Sequence, residues 1–182
     1  MKFSVACNFE DALIEGLAKY PVYEIYGKLT SDFFGGGRPS FYLPEVDRPA
    51  LERYVRKTHE HGVRFNYLLN ALAMGNTEFT REGQHQMNEL LEWLDGIGVD
   101  SVTVSSISFL RLIKKRYPRI KVRVSAHCFT DNPRKVRFWV DNGADYIVVS
   151  EVNLHREFEI LRAMRKAAGD VVREMEIGRA HV

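Results

Sequence analysis

The sequence predicts an α/β fold of parallel strands, a (β/α)8 TIM-barrel-like architecture present as an incomplete barrel of about six βα units. Three observations carry this. Short apolar strings alternate with helical patterns of about 10–15 residues, the signature of βα crossovers. A helix-end, glycine, aspartate and strand pattern occurs twice. And the 182 residues, 45% hydrophobic, suffice for one real core.

The strands are expected at Phe3–Cys7, Val22–Tyr26, Arg64–Leu69, Ser101–Ser105, Val122–Ala126 and Tyr146–Ser150. Helices are expected near Glu10–Lys19, Pro49–His61, Arg81–Asp95, Ile107–Arg116, Pro133–Asp141 and Leu154–Ala167. In the last, Leu154, Phe158, Leu161 and Met164 recur at spacings of four and three, which is one helical face. The repeat couples Trp93-Leu94-Asp95-Gly96-Ile97-Gly98-Val99-Asp100 to Ser101–Ser105, and Trp139-Val140-Asp141-Asn142-Gly143-Ala144-Asp145 to Tyr146–Ser150. Each copy reads as a helix end, a glycine able to take a left-handed cap, a turn aspartate and a buried β-branched strand.

Six units occupy about 170 residues, whereas a closed eight-unit barrel takes about 250. The chain therefore reads as a barrel stopped two units short, with a seventh strand beginning near Val171. Residues 1–176 are assigned to the partial barrel domain and 177–182 to a non-native tail. Ile-Gly-Arg-Ala-His-Val is what ATC GGA AGA GCA CAC GTC encodes, a widely used sequencing-library adapter. Open sheet edges in such a chain predict marginal solubility.

Composition restricts function only loosely. A net charge of +2 and a pI near 8.5 select no partner. The two cysteines, Cys7 and Cys128, suit a reducing compartment better than a disulfide framework. No apolar run reaches the roughly 18 residues of a membrane span, and the N-terminus enters a strand pattern directly. A cytoplasmic protein without membrane partner is expected; the oligomeric state is left open.

No HExxH, G-x-S-x-G, Walker, G-x-G-x-x-G or CxxC pattern occurs. His59 and His61 stand two apart on a helix, so they face apart and read as a solvated helix end. Cys7 reads as a small buried thiol. His127-Cys128 follows a strand, but no second histidine or cysteine is spaced to complete a zinc site, so incidental and functional roles both stand. Arg111–Arg123 holds seven basic residues and no acid: either an RNA phosphate patch or the outer face of a helix.

In parallel α/β folds the loops after strands build the site. The polar residues there are Asn8, Tyr26, Asn70, Ser105, Ser106, His127, Ser150 and Glu151, each of which has a turn or N-cap alternative. Gly35, Gly36, Gly37 and Arg38 follow the second strand. Consecutive glycines present N–H groups to an anion and Arg38 adds a bidentate contact; a flexible loop is the competing reading. The substrate-binding set is thus Gly35, Gly36, Gly37, Arg38, Asn70, Ser105, His127, Ser150 and Glu151. Catalytic residues are unassigned.

The chain resembles the peptidase U32 (collagenase-like) family. The resemblance rests on Lys2–Ala6 with Asn8-Phe9, Tyr26-Gly27-Lys28, Gly35–Ser40, Phe65–Asn70 and Thr103-Val104-Ser105. It continues through Lys115–Pro118, Gly143-Ala144-Asp145 and Arg156-x-Phe158, reaching about Lys166. It implies a TIM-barrel-like domain and, by name, a collagen-degrading protease. Some members it resembles are oxygen-independent hydroxylation factors acting on tRNA, ribosomal RNA or a ubiquinone precursor, with a cysteine-ligated iron–sulfur cluster and, in some, prephenate as oxygen donor. Their cluster cysteines lie later in the chain, so no metal ligand is carried over here. The expected parent is such a hydroxylase of RNA or a small aromatic or quinoid molecule; the alternatives are a peptidase, with Ser105 or Ser150 beside His127, and a non-enzymatic RNA- or partner-binding module. The 182-residue chain itself is expected to lack both cofactor and activity.

Overall fold

The computed structural model describes residues 3–36, 44–150, 152, 154, 156–170 and 174–176. Strands and helices alternate: β1 Phe3–Ala6, α1 Asp11–Leu17, β2 Val22–Gly27, α2 Arg48–Glu60, β3 Arg64–Leu69, α3 Arg81–Gly96 and β4 Ser101–Val104. They continue with α4 Ile107–Arg116, β5 Lys121–Val124, α5 Pro133–Asp141, β6 Tyr146–Val148, α6 Phe158–Ala168 and β7 Glu174–Glu176. The chain divides into two compact units, Met1–Val102 and Thr103–Val182.

In the first unit β1, β2 and β3 pair in parallel and in chain order, with Ser4 opposite Glu24 and Glu24 opposite Arg64. In the second, β5, β6 and β7 do the same, with Tyr146 opposite both Arg123 and Glu174. Parallel neighbours need a crossover, and the intervening helices supply it.

Period two divides each strand into two faces. Ile25, Phe65 and Leu69 occupy one face in the first unit, and Val122, Val124 and Ile147 occupy it in the second; all are essentially inaccessible. Helical partners are equally buried: Leu51, Val55, Met87, Leu91 and Leu94 in one unit, Phe109, Leu110, Ile113 and Met164 in the other. Truncating any of these to alanine would cost about 2–5 kcal/mol. The alternate positions hold Glu24, Asn66, Asn70, Arg123, Ser125 and Ser150, which are also buried. Buried polar side chains at or just past the strand ends are unusual within each unit.

Polar side chains start most helices. Asp47 accepts from the Ala50 N–H at 2.9 Å, Thr80 from Gly83 at 2.9 Å, Ser106 from Ser108 at 3.2 Å and Asn132 from Lys135 at 3.0 Å. Pro49 and Pro133 sit in the first turns, where no N–H is missed. Each such cap is worth about 1 kcal/mol.

The expected elements are all present, with shorter strand ends. β1, β4, β5 and β6 stop before Cys7, Ser105, Ser125 and Val149, and Val149 makes only an isolated bridge to Thr130. α6 begins at Phe158 rather than Leu154, so the expected four-residue stripe is corrected: Leu161, Met164 and Ala168 are buried and Phe158 is exposed. The expected tail 177–182 lies outside the described residues.

Candidate functional site

In the first unit, the loop after β2 is organised by one carboxylate. Asp32 forms an ion pair with Lys28 at 2.9 Å, its side chain only 4% exposed and that of Lys28 7%. The Tyr67 hydroxyl donates to Asp32 Oδ2 at 2.7 Å, and the Phe34 and Gly35 N–H groups donate to Oδ1 at 3.1 and 2.8 Å. Lys28 Nζ also donates to the Gly35 carbonyl at 2.5 Å. Burial, reinforced by the Asp32 charge, raises the Tyr67 pKa well above its usual range, so the phenol stays a donor.

Gly35 and Gly36 are both left-handed, at φ of 63° and 77°. Gly36 lies so close to the Ala71 backbone that a Cβ would collide with the Ala71 nitrogen. The turn is thereby laid beside Asn70, which is buried. Of the expected set the structure brings together Gly35, Gly36 and Asn70; Gly37 and Arg38 lie outside the described residues. A cleft of about 210 Å³ adjoins this turn, lined among others by Leu29, Asp32, Phe34, Val46, Arg48 and Leu90. Arg48 stacks over Trp93 and meets Glu89 at 2.8 Å.

The second unit gathers Ser105, His127 and Cys128. The Cys128 thiol donates to the Ser105 carbonyl at 3.6 Å, and Ser125 starts the short 3-10 turn Ala126–Cys128 by accepting from the His127 N–H at 3.2 Å. Burial pushes the Cys128 thiol up to about 11. Phe129 follows with φ of 47°, a strained value for an aromatic residue. Ser150 donates its N–H to the Thr130 carbonyl at 2.8 Å. Glu151 lies outside the described residues.

Other expectations meet local roles. Asn8 accepts from the Glu10 N–H at 3.0 Å, a turn contact, and Ser106 is the α4 cap. Cys7 is buried, with its thiol in the space where Gly27 lacks a side chain. His61 contacts the Lys57 carbonyl at 3.0 Å and His59 contacts Asp100. In the basic stretch, Arg111 donates to Asn142 at 2.9 Å and Lys114 to Asp145 at 2.8 Å, while Arg123 is buried over the Tyr146 ring. These partners favour the helix-face reading.

Sequence reasoning did not find Asp32, and named Lys28 and Tyr67 only within motifs. Tyr67 was visible as a polar residue on the apolar face of β3; Asp32 left no periodic signal. Among the described residues no three histidine, cysteine or acidic side chains gather to hold a metal. No helix among them is long and apolar enough to cross a membrane.

Comparison with known proteins bears on this geometry. An uncharacterized protease of Methanocaldococcus jannaschii is 30% identical over 135 residues, which cover 74% of this chain and 39% of that protein. A solved U32 peptidase superposes with a TM-score of 0.74 at 19% identity, covering 97% of this chain and 66% of the other. An IMP dehydrogenase/GMP reductase-like protein of Corynebacterium glutamicum gives 0.60 at 7% identity, covering 99% and 57%. These likenesses support the α/β, incomplete TIM-barrel-like fold class. The chain thus spans about two fifths of its curated relative and two thirds of the solved peptidase. The profile of peptidase family U32 matches residues 42–177, three quarters of the chain; on this match and the 30% identical relative, the protein belongs to peptidase family U32.

Proposed function

We propose that this segment supplies a substrate-binding face to an enzyme, and that the whole protein is an oxygen-independent hydroxylation factor acting on RNA or a small aromatic or quinoid molecule. The observation that carries the binding role is the buried polar residues at the strands: Glu24, Asn66 and Asn70 on or just after β2 and β3 in the first unit, and, in the second, Ser125 and Ser150 just after β5 and β6. Glu24 already accepts from Ser4 at 2.6 Å and from Asn66 at 3.5 Å, so these side chains are held in place within the chain, and a polar ligand suits such a lining better than an apolar one. The hydroxylation reading rests on the resemblance to U32 members that act as oxygen-independent hydroxylation factors.

The iron–sulfur cluster that this reaction calls for does not fit the described thiols. Cys7 is wholly buried against Gly27, and among the described residues no three histidine, cysteine or acidic side chains gather, whereas a cluster needs several cysteine ligands together. Any cluster would take its ligands from other residues of the whole protein. The name of the Methanocaldococcus relative favours a second reading, a protease, in which Ser105 or Ser150 would be the nucleophile with His127 as base.

One experiment separates the two. The full-length protein, purified anaerobically and reconstituted with iron and sulfide, should show the broad visible absorbance of a cluster, and its absence would overturn the hydroxylation reading. Cleavage of denatured collagen, lost in the Ser105→Ala or Ser150→Ala variant and independent of iron, would overturn hydroxylation in favour of the protease.

A further inference from the structure

The loop after β2 has the donor set of an anion site, and it is already filled. Two backbone N–H groups, one ammonium and one phenolic hydroxyl converge on a single carboxylate, at 3.1, 2.8, 2.9 and 2.7 Å. Successive N–H groups leading into left-handed glycines form the concavity that receives phosphates and carboxylates elsewhere. Here the anion is Asp32 of the same chain.

We propose that the turn from Asp32 to Gly36 is a small-carboxylate site occupied by its own Asp32, and that this internal anion is a latch holding Gly36 against Ala71 beside Asn70. The ion pair is almost fully enclosed, and its geometry commits Gly35 at both ends. The Gly35 N–H goes to Asp32 and the Gly35 carbonyl to Lys28. The Gly35 amide is therefore not offered to a substrate, and an outside carboxylate reaches these four donors only by displacing Asp32. The latch does not depend on which reaction the whole protein performs.

Removing the carboxylate and supplying it in solution tests the idea. In the 182-residue chain, Asp32→Ala is expected to lower Tm by about 10 °C, because it leaves a buried ammonium without its counter-charge. Sodium formate should restore a large part of that loss in a saturable manner, while equal sodium chloride should not, and the unaltered chain should respond alike to both salts. Equal responses of the variant to formate and chloride, or a variant that melts like the unaltered chain, would overturn the proposal. Should Asp32→Ala not fold, Asp32→Asn serves with hydrogen exchange at the Gly35 amide. Protection falling about tenfold supports the latch, since a bond to a charged acceptor has been exchanged for one to a neutral amide, and unchanged protection refutes it.

Discussion

His59 and Asp100 meet at one oxygen: His59 Nε2 lies 2.8 Å from Asp100 Oδ2, which also accepts the Phe65 N–H at 2.8 Å. The Asp100 N–H returns to the Phe65 carbonyl at 3.1 Å. Asp145 repeats the arrangement in the second unit, accepting from the Val122 N–H at 2.9 Å and from Lys114, and donating to the Val122 carbonyl. Each aspartate thus fastens the start of the neighbouring strand and a basic residue of the helix before it. Asp100→Ala and Asp145→Ala should each lose about 1–3 kcal/mol, the cost of a strand N–H left unmet. His59→Ala should cost under about 1 kcal/mol, since that pair is exposed. Urea unfolding of the three variants gives the ranking; a His59→Ala loss equal to that of Asp100→Ala would contradict it.

Gly27 and Cys7 form a second testable pair. A methyl at Gly27 would occupy the Cys7 sulfur position, so Gly27→Ala should destabilise by about 1–3 kcal/mol through overpacking. Cys7→Ala alone opens a small void. The double variant should recover part of the Gly27→Ala loss, a coupling that a double-mutant cycle reads directly. Strict additivity would rule out the contact as the cause.

Stability should fall in alkali. The Cys128 thiol is pushed up to about 11 by burial; burial and the Asp32 charge raise Tyr67, and burial raises Tyr54. All three are neutral in the fold and give up protons at lower pH when unfolded. Their contribution is therefore complete below the ordinary thiol value of about 9 and declines as pH rises past it. Urea midpoints should hold from pH 7 to 8.5 and drop by pH 10.5, with a smaller drop in Cys128→Ala. Cys128 should also react slowly with thiol reagents at pH 8 until the chain is unfolded.

Adjacent lysines in the basic stretch should behave differently. Lys114 meets Asp145, whereas Lys115 is exposed. Lys115→Glu should change stability by no more than about 0.5 kcal/mol, and Lys114→Glu should destabilise by more, because it sets like charges together. If the stretch served RNA as a phosphate patch, filter binding would show both variants weakened alike, with a reduced salt slope.

The elements were legible because each helix and strand repeats its own period over several residues. The glycine–aspartate repeat was legible too, since it recurs at fixed distance from a strand. What escaped was pairing across the chain. Tyr67 and Asp32 are joined over 35 positions, and Lys114 finds Asp145 over 31, distances at which sequence periodicity is silent. The same blindness affected Arg111–Arg123, which looks acid-free in sequence but takes its partners from the turn before β6. In α6 the error was local: the helix begins at Phe158, so Leu154 is buried from outside it and Phe158, in its first turn, is exposed.

Pairing strictly in chain order sets how assembly can proceed. Ser4 joins Glu24, Glu24 joins Arg64, and Tyr146 joins Arg123 behind it and Glu174 ahead. Every strand within a unit finds its template in the segment synthesised just before or just after it, so loop closure stays short and no pairing waits for a distant stretch. A ribosome releasing this chain would let each unit add strand upon strand as it emerged, and the Asp100 and Asp145 fastenings would form as soon as their strands appeared.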